Sequence, residues 1–100
     1  MNVLKEIKEN DIKICDIDAL YIFVGGKEIK YDRLKDSVKE LKEKLNGEEY
    51  DNDFGTQKLF GLILMKDNSW FERAEYDGSE WWEYKKQITR ENVFNFKWNE

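Results

Sequence analysis

The chain has 100 residues, 40% hydrophobic and 39% charged, with 17 Lys+Arg against 22 Asp+Glu. It has no His, no Pro and one Cys (Cys15), which excludes a disulfide scaffold, a Cys/His zinc site, a Ser-His-Asp triad and a Cys-His nucleophile. Four Trp, five Tyr and six Phe argue against intrinsic disorder, because such a chain has apolar surface to bury.

Charges recur every two or three positions through Met1–Asn10, so no apolar stretch of secretory-signal type is present there. The longest apolar runs, Ala19–Val24 and Leu59–Met65, fall far short of the ~20 residues that span a bilayer. The expected setting is therefore the cytoplasm, with no membrane partner. Charge is unevenly spread. Residues 1–46 hold ten basic and ten acidic side chains, residues 47–83 three and ten, and residues 84–100 four and two. No linker or repeat divides the chain, and one domain over residues 1–100 is expected.

Val3, Leu4 and Ile7 among Lys and Glu predict a short amphipathic helix at 2–9. The β-branched Ile12, Ile14 and Ile17 favour extended structure. Residues 20–24 and 28–31 around Gly25-Gly26 predict a hairpin, since the glycines accept the positive φ of a tight turn. Leu34, Val38, Leu41 and Leu45 predict a helix over 33–46, with Asp32 as its N-cap. Asn46-Gly47 stops it, with Gly47 in the left-handed conformation. The narrow apolar stripe predicts that this helix lies on a sheet. Gly47–Thr56, carrying Glu48, Glu49, Asp51 and Asp53, reads as an acidic loop.

Residues 57–66, 69–76 and 79–86 predict a three-stranded antiparallel meander. Phe60, Leu62 and Leu64 point one way and Leu59, Ile63 and Met65 the other, which marks a central strand. Phe94, Phe96 and Trp98 alternate as a final strand would. The fold class is α+β: an antiparallel sheet built from an N-terminal hairpin and a C-terminal meander, with one main amphipathic helix packed on it and a short N-terminal helix.

The turn at Tyr76-Asp77-Gly78 fixes the register of the last hairpin. A two-residue loop opposes Glu75 to Glu80 and Glu72 to Glu83, each an unfavourable like-charge pair. A three-residue loop instead sets Trp70 against Tyr84, Glu72 against Trp82 and Arg73 against Trp81, adding a cation–π contact. This second register is the one expected. It places Trp70, Ala74, Trp82 and Tyr84 on the core side, and Phe71, Arg73, Trp81 and Glu83 on the other.

No residue set points to catalysis, a metal or a cofactor. The carboxylates of 48–53 read as a solvated loop, and Tyr50–Gly55 lacks the twelve-residue calcium-loop pattern. Val24-Gly-Gly-Lys27 is too short for a phosphate loop. Sheet-face aromatics such as Phe71 and Trp81 with Arg73 can stack unpaired bases, so the alternatives are a single-stranded nucleic-acid-binding module or a small interaction protein of unknown role. Asp67, Glu72, Glu75, Asp77, Glu80 and Glu83 in the same segment would repel phosphates, so direct nucleic-acid binding is disfavoured. An acidic, aromatic surface suits a basic protein surface better. Indole and phenol rings anchor such contacts, and carboxylates steer the cationic partner.

Trp70, Arg73, Glu75, Tyr76, Asp77, Gly78, Ser79, Glu80, Trp81 and Trp82 form a Trp-x-x-Arg-x-Glu-Tyr-Asp-Gly-Ser-Glu-Trp-Trp pattern. It resembles an acidic hairpin of small bacteriophage-encoded proteins, a likeness confined to about residues 61–86. The resemblance implies a phage or mobile-element origin. By analogy with anti-CRISPR proteins, it implies an inhibitor of a host defence nuclease, acting in the cytoplasm of the infected bacterium. An RNA-guided nuclease, with its cationic nucleic-acid groove, is a candidate partner. Glu72, Glu75, Asp77, Glu80 and Glu83 would imitate phosphates and Trp81 would anchor the contact. Glu48, Glu49, Asp51 and Asp53 would add a second contact.

Overall fold

The structure, a computed structural model, describes residues 1–50 and 56–86. Helix α1 (Val3–Glu9) is followed by a 3₁₀ turn (Ile14–Asp16), strands β1 (Ile17–Val24) and β2 (Lys27–Asp32), and helix α2 (Val38–Asn46). Strands β3 (Leu59–Met65), β4 (Trp70–Tyr76) and β5 (Ser79–Lys85) complete the described part. All five strands pair antiparallel in the order β2-β1-β3-β4-β5, so the fold is the expected α+β sheet with two helices. No helix among the described residues is long and apolar enough to cross a membrane. The alternation of Phe94, Phe96 and Trp98 lies outside the described residues.

One face of the sheet is covered by the helices. Leu20, Ile22, Val24, Leu59 and Ile63 point into that layer and meet Val3, Ile7, Leu41 and Leu45, all buried. Fully burying an aliphatic side chain contributes about 1.5–3 kcal/mol, and this layer is the main source of stability. The strand β3 is central as expected, flanked by β1 and β4. Gly25 and Gly26 take φ of 60° and 77°, the two-residue turn that joins β1 to β2 with matching twist.

Several local expectations are corrected. Helix α2 begins at Val38, with the Ser37 side chain accepting the Glu40 N–H at 3.1 Å. Asp32 instead ends β2 and folds the chain over, its carboxylate accepting the Leu34 N–H at 2.9 Å and its carbonyl the N–H groups of Lys35 and Asp36. A local turn satisfied by side-chain acceptors outcompetes another helical turn, which leaves Leu34 outside the helix and 81% exposed. Gly47 closes α2 at φ −79°, not left-handed, its N–H donating to the Glu43 carbonyl. Ile14 starts a 3₁₀ turn rather than an extended run; its burial between α2 and the sheet overrides β propensity.

Of the expected acidic loop over 47–56, residues 51–55 lie outside the described residues, and the described start is held against the N-terminus. Val3 donates to the Glu48 carbonyl at 3.1 Å and Tyr50 to the Met1 carbonyl at 3.0 Å, so residues 48–50 run alongside the N-terminus. That strap delivers Tyr50 beneath the β4–β5 hairpin.

Candidate functional site

The last hairpin takes the register that the sequence argued against. Asp77 and Gly78, at φ 52° and 85°, form a two-residue turn, and Glu75 stands opposite Glu80 and Glu72 opposite Glu83. Arg73 therefore faces Trp82, not Trp81, and Trp70 faces Lys85. A one-residue change of register turns one strand's side chains over relative to the other's. Phe71 and Arg73 join Trp82 and Tyr84 on the helix side, while Trp70 and Ala74 join Trp81 and Glu83 on the opposite face.

The reason lies under the sheet. The Arg73 side chain is wholly buried. Its Nη1 donates to Glu6 Oε2 at 2.8 Å, its Nη2 to the Tyr50 hydroxyl at 2.7 Å and its Nε to Glu80 Oε1 at 3.3 Å. The guanidinium carbon also sits 5.4 Å from the Tyr50 ring centre and 5.3 Å from that of Trp82. The Tyr50 hydroxyl donates onward to Glu6 Oε1 at 2.6 Å. Glu80 accepts the backbone N–H groups of Lys58 at 2.7 Å and Leu59 at 3.1 Å. A hydrogen bond to a charged group contributes about 1.5–3 kcal/mol, against a few tenths for two opposed glutamates. The buried bonds win, and they select the shorter loop.

Two carboxylates thus converge, but on a buried arginine and not on a cleft. Burial by itself would lower the Arg73 pKa; the hydrogen bond and charge of Glu6 outweigh it and hold the group above its ordinary value. Burial, then the bond to Glu6, pushes the Tyr50 phenol from 10.0 up to about 12, against the pull of Arg73. The folded chain holds that proton more tightly than the unfolded one. The associated stability is complete below pH 10 and is lost as pH climbs through about 12. Denaturation midpoints between pH 9 and 12 should therefore fall more steeply for the wild type than for Tyr50→Phe; parallel curves would show that Tyr50 ionises freely.

The sheet's other face is open among the described residues. Tyr21, Phe23, Phe60, Leu62, Leu64 and Trp81 lie on it, each between 37% and 49% exposed. The Phe23 and Phe60 rings stand directly opposite each other, 6.4 Å between centres. Glu72 and Glu83 share this face, and among the described residues Glu83 pairs with the neighbouring Lys85, at 3.6 Å. A contiguous apolar face rimmed by charge is what interaction surfaces present.

The carboxylates singled out from sequence divide. Glu72 and Glu83 lie on the open face beside Trp81. Asp77 is exposed in the turn, and Glu75 is exposed on the helix side near it. The Glu80 carboxylate is only 6% exposed and is held by Arg73, so it presents no charge outward. Glu48 pairs with Lys27 at 3.3 Å across the molecule, next to the exposed Glu49, while Asp51 and Asp53 lie outside the described residues. Sequence reasoning missed Glu6 and Tyr50, whose partners are remote in the chain. The one available signal was an uncompensated arginine in an acidic strand.

No group of three or more His, Cys, Asp or Glu among the described residues is placed to hold a metal ion. Asp67, near the other end of β3, accepts from the Ser69 hydroxyl and N–H, which hold its carboxyl below the ordinary value. Compared with protein-family models, curated proteins and solved structures, the chain matches none significantly.

Proposed function

We propose that this is a non-catalytic binding protein that docks on a basic protein surface through the open face of its sheet and the acidic turn beside it. The observation that carries the reading is the row of half-exposed aromatic and aliphatic side chains standing next to Glu72 and Glu83. Trp81 offers large buried area at little rotamer cost, and the carboxylates raise the rate of encounter with a cationic partner. The buried Arg73 cluster supports the same reading, since Arg73, Glu6, Tyr50 and Glu80 bond one another within the chain, although the Trp82 Nε1 beside them is buried without a partner among the described residues. The likeness of the hairpin to small bacteriophage proteins directs the proposal toward a host defence nuclease. In it, the cationic groove of an RNA-guided enzyme in the bacterial cytoplasm would be blocked by carboxylates standing where phosphates belong.

Immobilised protein should capture a nuclease from a bacterial lysate at low salt and release it as screening increases. Trp81→Ala and Glu72→Lys should each weaken that capture at least about tenfold, since a central aromatic and a steering charge are both removed. Capture indifferent to salt and to both substitutions would overturn the proposal, as would tight binding of single-stranded DNA without any protein partner.

A further inference from the structure

We infer that the free protein forms a symmetric dimer through its open sheet face, the occupant being a second copy of the chain. The register arranges that face in three rows running across the strands. The middle row reads Lys30, Tyr21, Leu62, Glu72, Glu83 from β2 to β5. A second reads Asp32, Ala19, Leu64, Trp70, Lys85. Beyond Leu62 with Glu72, the last β3–β4 pair, a third row of Glu28, Phe23 and Phe60 crosses β2, β1 and β3, and Ala74 stands opposite Trp81 on β4 and β5.

Two copies placed face to face about a two-fold axis parallel to β3 bring each row against its own reverse. Leu62, Leu64 and Phe60 then meet their equivalents along the axis. Large falls on small where Trp70 covers Ala19, and in the middle row Tyr21 faces Glu72 of the second copy. At the rims Lys30 meets Glu83 and Asp32 meets Lys85, each contact made twice by the symmetry. Among the described residues Lys30 pairs with Glu28 at 3.8 Å and Lys85 with Glu83 at 3.6 Å, while Asp32 Oδ1 accepts the Leu34 N–H and meets no cation. Aligned sheet packing keeps strand directions within about 30°, so the rim lysines remain in reach of their partners.

The size is adequate. Five strands about 4.8 Å apart and seven residues long, at about 3.3 Å each, project roughly 550 Å² before side-chain relief is counted. Relief brings the accessible area toward the ~800 Å² per partner of an ordinary stable interface. The inference uses the face that the proposed partner would cover, but it does not depend on that partner. Failure to capture a nuclease leaves it standing.

Sedimentation equilibrium of the full chain tests it. A concentration-dependent dimer with a dissociation constant in the micromolar range is expected. Leu62→Glu, which sets two carboxylates together on the axis, should weaken it at least about thirtyfold. Lys30→Glu and Glu83→Lys should each weaken it about tenfold, and the double reversal should recover most of the loss, because the pair is restored with its signs exchanged. A chain that stays monomeric at every concentration overturns the inference. So does a double reversal no better than its single variants. A monomer that unfolds on Leu62→Glu would mean that Leu62 is packed within its own chain, and likewise refutes the dimer.

Discussion

Arg73→Met should be the most damaging single substitution in the described chain, lowering stability by about 3–5 kcal/mol. The methionine fills similar volume, but it leaves Glu6 and Glu80 in a buried layer without the charge that holds them. At roughly 4–8 °C per kcal/mol for a domain of this size, the melting midpoint should fall by roughly 12–40 °C. The loss comes mainly from stranded charge and less from a missing attraction. Arg73→Met combined with Glu6→Gln should therefore be more stable than Arg73→Met alone. Calorimetry of the wild type, the two single variants and the double variant closes the cycle. A single variant melting within about 5 °C of the wild type would show that the cluster carries no such weight.

Gly61→Ala comes second. Gly61 lies opposite Ile22 in the centre of the sheet, on the helix side. A Cβ there would sit 2.5 Å from the Tyr21 carbonyl oxygen, 3.1 Å from Ile22 Cγ1 and 3.2 Å from Trp82 Cη2. The first of these atoms is backbone, so the β1–β3 ladder itself must shift. Overpacking typically costs about 1–3 kcal/mol, and the upper end applies where backbone has to move. One position along, Leu62 faces the open side, and Leu62→Ala should cost the isolated fold under about 1 kcal/mol. Urea denaturation of the two variants reads the contrast directly. Equal midpoints would mean that the sheet yields at Gly61 without strain.

Local chemistry was legible in the sequence where it decided the outcome. Paired glycines at 25 and 26, alternation at 59–65 and the Leu41–Leu45 stripe each led to the element found. Competition between local signals was harder to read. Asp32 and Ser37 both suit an N-cap, and only the turn built on the Asp32 and Asp36 carboxylates decides between them. The hairpin register failed for a different reason. Opposed glutamates are visible in the chain, whereas the compensation of Glu80 comes from Arg73 and from the amides of residues 58 and 59. Those groups become neighbours only once β3 and β5 are brought together. Trp81 was placed correctly away from the helices, but the same slip put Arg73 beside it instead of beneath Trp82. The candidate surface was thus only partly legible. Trp81, Glu72 and Glu83 were named for it, whereas Phe71 lies on the helix side. The rings of Tyr21, Phe23 and Phe60 were not assigned to it, and the bond that removes Glu80 was not foreseen.

The contact between Glu6 and Arg73 joins groups 67 positions apart. A helix of seven residues does not persist alone in water, so α1 has little to hold it as it leaves the ribosome. Its ionic partner is synthesised only after three strands and part of the fourth. The order of assembly follows: the meander has to close before the first helix is locked down. Such distant closure slows folding and leaves the apolar strands uncovered for longer during synthesis.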